Sequence, residues 1–463
     1  LTVTPTAAPI EAGAIATPAL SRDLRQRHVT MISIGGIIGA GLFVGSSAGI
    51  ASIGPAVVVS YLLAGLVVLL VMRQLGEMAA ANPNVGSFTE FARQGLGNWA
   101  GFVAGWTYWY FWVAVVCVEA LAGAKLLHAW VDLPIWAWGV ILLAAMASTN
   151  LWSTRSYAEF EFWFASIKVV AIVVFIVIAA VALGLHSPSP GGRLANLTAD
   201  HGFAPFGILS VLGGVTSVVF ALTGAEIATI AAAESDEPGK AVARMTNQVV
   251  LRILLFYVIS IFLIVTLVPW RTIHPGDSPF AITLERLGIP GAPIVMNLIV
   301  LTAVLSCLNS GLYVCSRVLF TLAAHGDAPA GMVAVNRRKV PVRAILVVMA
   351  FALVAMATSA WMPNLFGFLI DASGALMLVV YGLVSLAQIV LRRRADRDAP
   401  GSLVVRMWLF PWLSWFAVAA MVAILAVMGL TPASFHQFLA SMAVPLAALA
   451  AFFLLRRGRA TSA

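Results

Sequence analysis

Charge is scarce in this sequence. Asp, Glu, Lys and Arg make up 10% of its 463 residues, 61% are hydrophobic, and the mean hydropathy is +0.98. A water-soluble chain of this length has no way to hide that much apolar surface, so the composition leaves an integral membrane protein. Cysteine is nearly absent as well. Cys117, Cys307 and Cys315 fall in apolar stretches, with neither a disulfide framework nor zinc-ligand spacing. There is no G-x-x-x-x-G-K-[ST] loop, since "ESDEPGKA" has the Gly-Lys pair without the pattern, and no H-E-x-x-H. These absences argue against an ATP-driven pump and a zinc protease, and no metal or cofactor is expected. No stretch is polar enough for a separate soluble domain. Residues 1–20 lack a basic start and an apolar core, so they read as part of a disordered tail rather than a signal peptide.

What the chain has is apolar length. The pattern predicts twelve spans, at 29–51, 55–80, 99–127, 134–152, 157–184, 206–233, 247–269, 292–322, 341–361, 363–391, 405–430 and 434–456. Stretches such as "HSPSPGG", "ESDEPGK" and "LRRRADRDAPG" mark gaps. Of the 27 Lys and Arg residues, the expected outer loops hold only Lys125, Arg193, Arg271 and Arg286. The basic clusters, including Arg22, Arg25, Arg27, Arg337, Arg338, Lys339, Arg392, Arg393 and Arg394, fall on the other side. Basic residues stay inside, so both termini are expected in the cytoplasm. The net charge of +8 therefore reads as topology and not as a nucleic-acid footprint.

Two spans carry a weak point. The first contains "ISIGGIIGAGLFVGS", Ile32 to Ser46, rich in glycine, which costs roughly 0.5–1 kcal/mol per residue inside a helix. The sixth contains "FALTGAEIATIAAAES", Phe220 to Ser235, where Thr223, Gly224 and Glu226 interrupt an apolar run. The breaks lie five spans apart. That spacing suggests two five-helix units in inverted repeat, 29–184 and 206–391, after a tail at 1–28 and before two additional helices at 405–456. Such repeats place a substrate between their discontinuous helices, near the midplane. Freed N–H groups there can hold a carboxylate, and freed carbonyls an ammonium. The alternative for the first motif is close helix packing, since Gly35–Gly39 and Gly41–Gly45 are G-x-x-x-G pairs.

Ionisable residues at membrane depth normally face a cavity or a partner. Lys168 is in the middle of the fifth span, with Glu161 two turns earlier on the same side. Desolvation there penalises its charge, so it can take up and release a proton; snorkelling to the interface is the structural alternative. Glu119, deep in the third span, either binds the distant amino group of an ω-amino acid or pairs within the scaffold. Glu226 is placed to connect substrate occupancy to gating. Ser306 and Asn309 on the eighth span are cavity-lining candidates, although polar residues also glue membrane helices together. Asp371 in "LIDASGA" is a gating or a helix-capping residue, and reads better as a cap. Trp109 and Trp112 are too deep for an interfacial belt and should pack.

The segments "RHVTMISIGGIIGAGLFVGSS", "FALTGAEIATIAAAESDEP", "SCLNSGLY", "SRVLFTLAAHGDAP" and "FLIDASGA" resemble the amino acid–polyamine–organocation transporters, and within them the bacterial amino acid permeases. The resemblance runs from about Arg22 to the last span. It implies an all-α inner-membrane protein of twelve helices with a LeuT-like 5+5 inverted repeat. It further implies that Gly39, Ala40 and Gly41 offer N–H groups to a substrate carboxylate. The carbonyls of Ile37, Phe220, Ala221 and Thr223 would face the amino group, and the Phe220 ring would act as a gate. Lys168 would stand where sodium-driven relatives of the fold bind sodium. Gly41 and Thr223 depart from the family's 4-aminobutyrate carriers while their neighbours match, which bears on substrate choice.

The expected function is proton-coupled import of a small zwitterionic amino acid by alternating access, with 4-aminobutyrate (GABA) the first candidate and the proton gradient the driving force. The expected partners are that small molecule and the bilayer, with no nucleic acid and no obligate protein. Rival readings are a permease for proline, β-alanine or an aromatic amino acid, an exchanger, or a non-transporting sensor. A channel would need a continuous polar pore lining, and a membrane enzyme a converging catalytic constellation; the sequence has neither.

Overall fold

A computed structural model describes residue 31 and residues 37–82, 87–152, 154–184, 193–227, 255–362, 365–401, 403, 405–432 and 434–461. The expected tail at 1–28, the cations Arg22, Arg25 and Arg27, and the sixth span beyond Ile227 lie outside the described residues. In chain order the helices are α1 (Ala40–Phe43), α2 (Ser46–Ile53), α3 (Val57–Ala81), α4 (Thr89–Leu96), α5 (Asn98–His128), α6 (Ile135–Trp152), α7 (Thr154–Gly184), α8 (Gly207–Gly213), α9 (Val215–Leu222), α10 (Leu255–Leu267), α11 (Pro279–Arg286), α12 (Ala292–Ala324), α13 (Val342–Ser359), α14 (Leu365–Asp398), α15 (Trp412–Leu430) and α16 (Phe435–Thr461). No strand occurs among the described residues. A helix satisfies its own backbone, which is what a hydrocarbon surround demands.

Nine helical stretches among the described residues are long and apolar enough to cross a membrane. The first of them, Ala40–Ala81, joins the expected first and second spans through a bend at Gly54 (φ +76°) and Pro55. The expected gap "LRRRADRDAPG" is largely helical: α14 continues to Asp398. Arg392 explains the extension, because its Nε bonds Asp396 one turn on (2.8 Å) and its Nη1 meets buried Glu77 of α3 (2.5 Å).

Burial sorts the helices into two classes. The most apolar windows of α5 and α12 are 78% and 72% buried, and that of α14 is 67% buried, against 28% for each of α7, α13 and α15. The first group forms a core in which α5 packs along α12 and α14. The second forms a rim whose outward side chains, such as Trp163, Val170 and Val177, are exposed large apolar groups of the kind lipid covers. The short α1 and α9 lie inside the core, against α12, α14 and each other.

Candidate functional site

The first break follows its glycines. Helical geometry is lost at Ile38 and Gly39 and resumes at Ala40, with Gly39 extended at φ −132° and ψ −156°. Side chains from other helices take up the released backbone groups. The Ile37 carbonyl accepts from the Tyr257 hydroxyl (2.9 Å), and the Ile38 carbonyl accepts from Lys168 Nζ (2.6 Å). The Ala40 N–H is shared by both carboxylate oxygens of Glu119, at 3.0 and 3.1 Å. Lys168 and Glu119 are buried, so the break is clamped by a lysine amino group on a carbonyl and a carboxyl group on an N–H. Gly39 is required by this approach, since a Cβ there would lie 2.5 Å from Glu119 Oε1 and 2.8 Å from Cys307 Cβ.

The second break ends α9. Thr223 is extended (φ −70°, ψ 144°) and Gly224 adopts φ +127°, a conformation that favours glycine. Thr223 closes the helix end by donating both its N–H (2.9 Å) and its hydroxyl (2.7 Å) to the Val219 carbonyl. Glu226 holds the turn. Its Oε2 accepts from Gly224 N–H (3.0 Å) and Tyr381 hydroxyl (2.9 Å), and its Oε1 from Tyr108 hydroxyl (3.1 Å). Those tyrosines belong to α14 and α5, so one buried carboxylate ties the break to two core helices.

The breaks meet at Gly41. A Cβ there would lie 2.9 Å from Ala221 Cα and 3.3 Å from Phe220 Cε1, so the missing side chain is what lets the two segments touch. The Phe220 ring also meets Phe111, at 6.1 Å between centroids. Ile37, Gly39, Ala40, Gly41, Glu119, Lys168, Phe220, Ala221, Thr223 and Glu226 are thereby gathered around the two breaks, and all are buried. Two cavities, of about 510 and 630 Å³, are lined by other residues, one at the C-terminal end of α5 beside Lys125 and Phe366, the other between α5 and α16.

Ser306 and Asn309 lie one layer back. Ser306 Oγ donates to Glu161 Oε1 (2.5 Å). Asn309 Oδ1 accepts from Thr149 Oγ1 (2.7 Å) and Asn150 Nδ2 (2.8 Å), which makes it polar glue between α12 and α6. The capping reading of Asp371 is corrected: it lies a full turn and more inside α14, where its Oδ1 accepts from Ser217 of α9 (2.6 Å). Gly374, one turn on, lets α9 sit against α14, because a Cβ there would overlap the Thr216 carbonyl. The "LIDASGA" motif is thus a docking surface for the helix that leads into the second break. Trp109 and Trp112 are buried packing residues, as expected.

Several residues escaped the sequence reading. Tyr108, Tyr257 and Tyr381 are the hydroxyls that hold the breaks, and one tyrosine among many apolar residues carries no local signal. Arg93 of α4 pairs with Glu90 (2.9 Å) and with Asp327 of the "HGDAP" turn, and His325 lies 3.4 Å from the same Glu90. This cluster fastens α4 across the end of α12. Its trace in the sequence was Asp327 in a quoted motif, with nothing to reveal its partner.

Comparison with known proteins follows the same lines. The family model described as amino acid permease matches residues 28–454. The chain is 45% identical over 412 residues to the gamma-aminobutyric acid permease of Bacillus subtilis (strain 168), covering 88% of each chain. It is 46% identical over 431 residues to a probable GABA permease of Pseudomonas aeruginosa, covering 91% of this chain and 90% of that one. To the aromatic amino acid transport protein AroP of Corynebacterium glutamicum it is 39% identical over 415 residues, covering 88% and 89%.

Proposed function

The chain belongs to the amino acid permease family, is a multi-pass membrane transporter rather than an enzyme, and we propose that it imports a small zwitterionic amino acid, 4-aminobutyrate first among them, together with a proton. The observation that carries this reading is the contact of the two breaks at Gly41 and Ala221, with Lys168 and Glu119 holding the backbone of one of them. A zwitterion needs an N–H-rich place for its carboxylate and an oxygen-rich place for its ammonium. The Gly39–Gly41 segment offers the first. The Phe220–Thr223 carbonyls and the Glu119 carboxylate offer the second. In this arrangement Glu119 stands on the Ala40 N–H, so an incoming substrate carboxylate competes with it there. Displacing Glu119 frees it to meet the distant ammonium of an ω-amino acid.

Lys168 couples proton movement to this exchange through its contact with the Ile38 carbonyl. The two breaks belong to five-helix repeats, residues 29–184 and 206–391, which rock about the site in alternating access. Residues 405–456 add the last two of twelve helices. The protein sits in the bacterial inner membrane with both termini in the cytoplasm, in keeping with its lysine and arginine distribution.

The test is uptake of labelled 4-aminobutyrate into proteoliposomes, with and without an inward proton gradient, against unlabelled proline, β-alanine and aromatic competitors. Uptake that rises with the gradient supports the reading. Gradient-driven uptake of another amino acid, with 4-aminobutyrate inert, keeps the mechanism and replaces the substrate. Uptake only into vesicles preloaded with amino acid makes the protein an exchanger.

A further inference from the structure

Glu161 is a buried carboxyl that the proposed mechanism does not use. It lies on α7 seven residues before Lys168, which is two helical turns, and lysine side chains lean toward the N-terminus of their helix, that is, toward Glu161. It is fully buried. Lys168, Glu119 and Cys307 share this pocket electrostatically with it, and Tyr157 faces it from its own helix. Behind Tyr157 the Tyr313 ring stacks at 4.3 Å, capped by the Arg317 guanidinium at 4.1 Å.

The three buried carboxyls around the breaks differ in their partners. Glu119 accepts from the Ala40 N–H, and Glu226 accepts from the Gly224 N–H. A backbone N–H can only donate, and its bond to a carboxylate is the stronger, so both sites favour the ionised form. Glu161 bonds the Ser306 hydroxyl through Oε1, the Ser310 hydroxyl and the Asn309 amide lie near enough to act on it, and its Oε2 has no hydrogen-bond partner among the described residues. A hydroxyl donates to a carboxylate and can also accept from a carboxylic acid, so Ser306 keeps a bond to Glu161 in either state, the charge-assisted one to the carboxylate being the stronger. Ser310 and Tyr157, whose oxygens are 3.3 Å apart with either able to donate, continue the hydroxyls away from the breaks.

Charge counting points the same way. The Lys168 ammonium balances one carboxylate, and Glu119 stands with it on the broken backbone. Glu161 as an anion leaves the pocket with one negative charge in excess at membrane depth, where an uncompensated charge is expensive. As an acid it leaves the pocket neutral. We propose that Glu161 is the residue that carries the transported proton, while Lys168 stays charged and holds the first break. A hydronium on the outer side transfers its proton to a Glu161 oxygen, forming the carboxylic acid and water. On the inner side the acid returns the proton to water and becomes a carboxylate again. This deepens the proton-symport reading and rests on it.

The experiment uses the full-length protein in proteoliposomes with a pH dye trapped inside, and reads labelled 4-aminobutyrate counterflow, gradient-driven uptake and substrate-induced proton entry. Glu161→Gln keeps an acceptor for Ser306 and mimics the permanently protonated state. A carrier locked in the loaded form still exchanges substrate but no longer returns empty. The expected result is therefore near-normal counterflow that has lost its pH dependence, gradient-driven accumulation lowered at least about tenfold, and no dye signal. Glu161→Gln that accumulates substrate at the normal level with normal proton entry overturns the assignment. Should that variant lack counterflow altogether, Ser306→Ala decides. Removing the donor that favours carboxylate over acid should displace the pH midpoint of uptake, and an unmoved midpoint overturns the proposal. A wild-type protein with no gradient dependence and no dye signal instead refutes the symport reading itself, before any variant is considered.

Discussion

The two breaks are held by different chemistry. The first is clamped from outside its own segment, by Lys168 on one carbonyl, Tyr257 on another and Glu119 on an N–H. The second is largely held by its own Glu226, two residues past Gly224, with Tyr108 and Tyr381 securing that carboxylate. A basic and an acidic side chain therefore both touch the first break, and a single carboxyl group with two hydroxyls holds the described part of the second. Under the proposed function, the first break is the one whose geometry would respond to protons and to a substrate carboxylate. The second is a turn whose position depends on two core helices.

Removing Lys168 tests that contrast most severely. Lys168→Ala leaves Glu119 and Glu161 buried without their cation, and breaking a buried charge pair costs about 3–5 kcal/mol. Initial uptake per inserted carrier should fall about a hundredfold or more. A fall of only a few-fold would mean that the first break does not depend on charge. Gly41→Ala acts on both breaks at once. Its Cβ would press on Ala221 at 2.9 Å, an overpacking worth roughly 1–3 kcal/mol, seen as a lowered thermal midpoint of the detergent-purified protein and slower uptake.

At the second break, Tyr381→Phe removes one hydroxyl from a carboxylate that keeps Tyr108 and Gly224. Hydrogen bonds to charged groups contribute about 1.5–3 kcal/mol, and the two remaining donors should hold the loss near the lower end, roughly a tenfold change in apparent affinity. Proton-driven accumulation should survive in this variant, and its loss would erase the proposed division of labour. The smallest effect belongs to the latch between α4 and the end of α12. Arg93 and Asp327 are partly exposed, so a double-mutant cycle with alanine at both should give a coupling of about 0.2–1 kcal/mol in uptake rate, weakening as salt is raised.

The sequence by itself determined the class, the approximate positions of the apolar helices among the described residues, apart from the extension of α14 to Asp398 and the start of α15 at Trp412, and where both breaks fall. These are local properties. Hydrocarbon forces every span to satisfy its own backbone, and glycine or a charged residue inside a span marks where that fails. Local pattern also exposed Glu119, Lys168 and Glu226, since an ionisable side chain is conspicuous among apolar neighbours. The same pattern misassigned Asp371, because a carboxylate near the start of an apolar run looks alike as a cap and as an acceptor for Ser217. What only the tertiary structure decided is pairing. Glu119 and Ala40 are 79 residues apart, Lys168 and Ile38 130, and Tyr381 and Glu226 155. A hydrogen bond forms wherever packing brings donor and acceptor within reach, and no periodicity in one segment encodes which residue of a distant helix will face it.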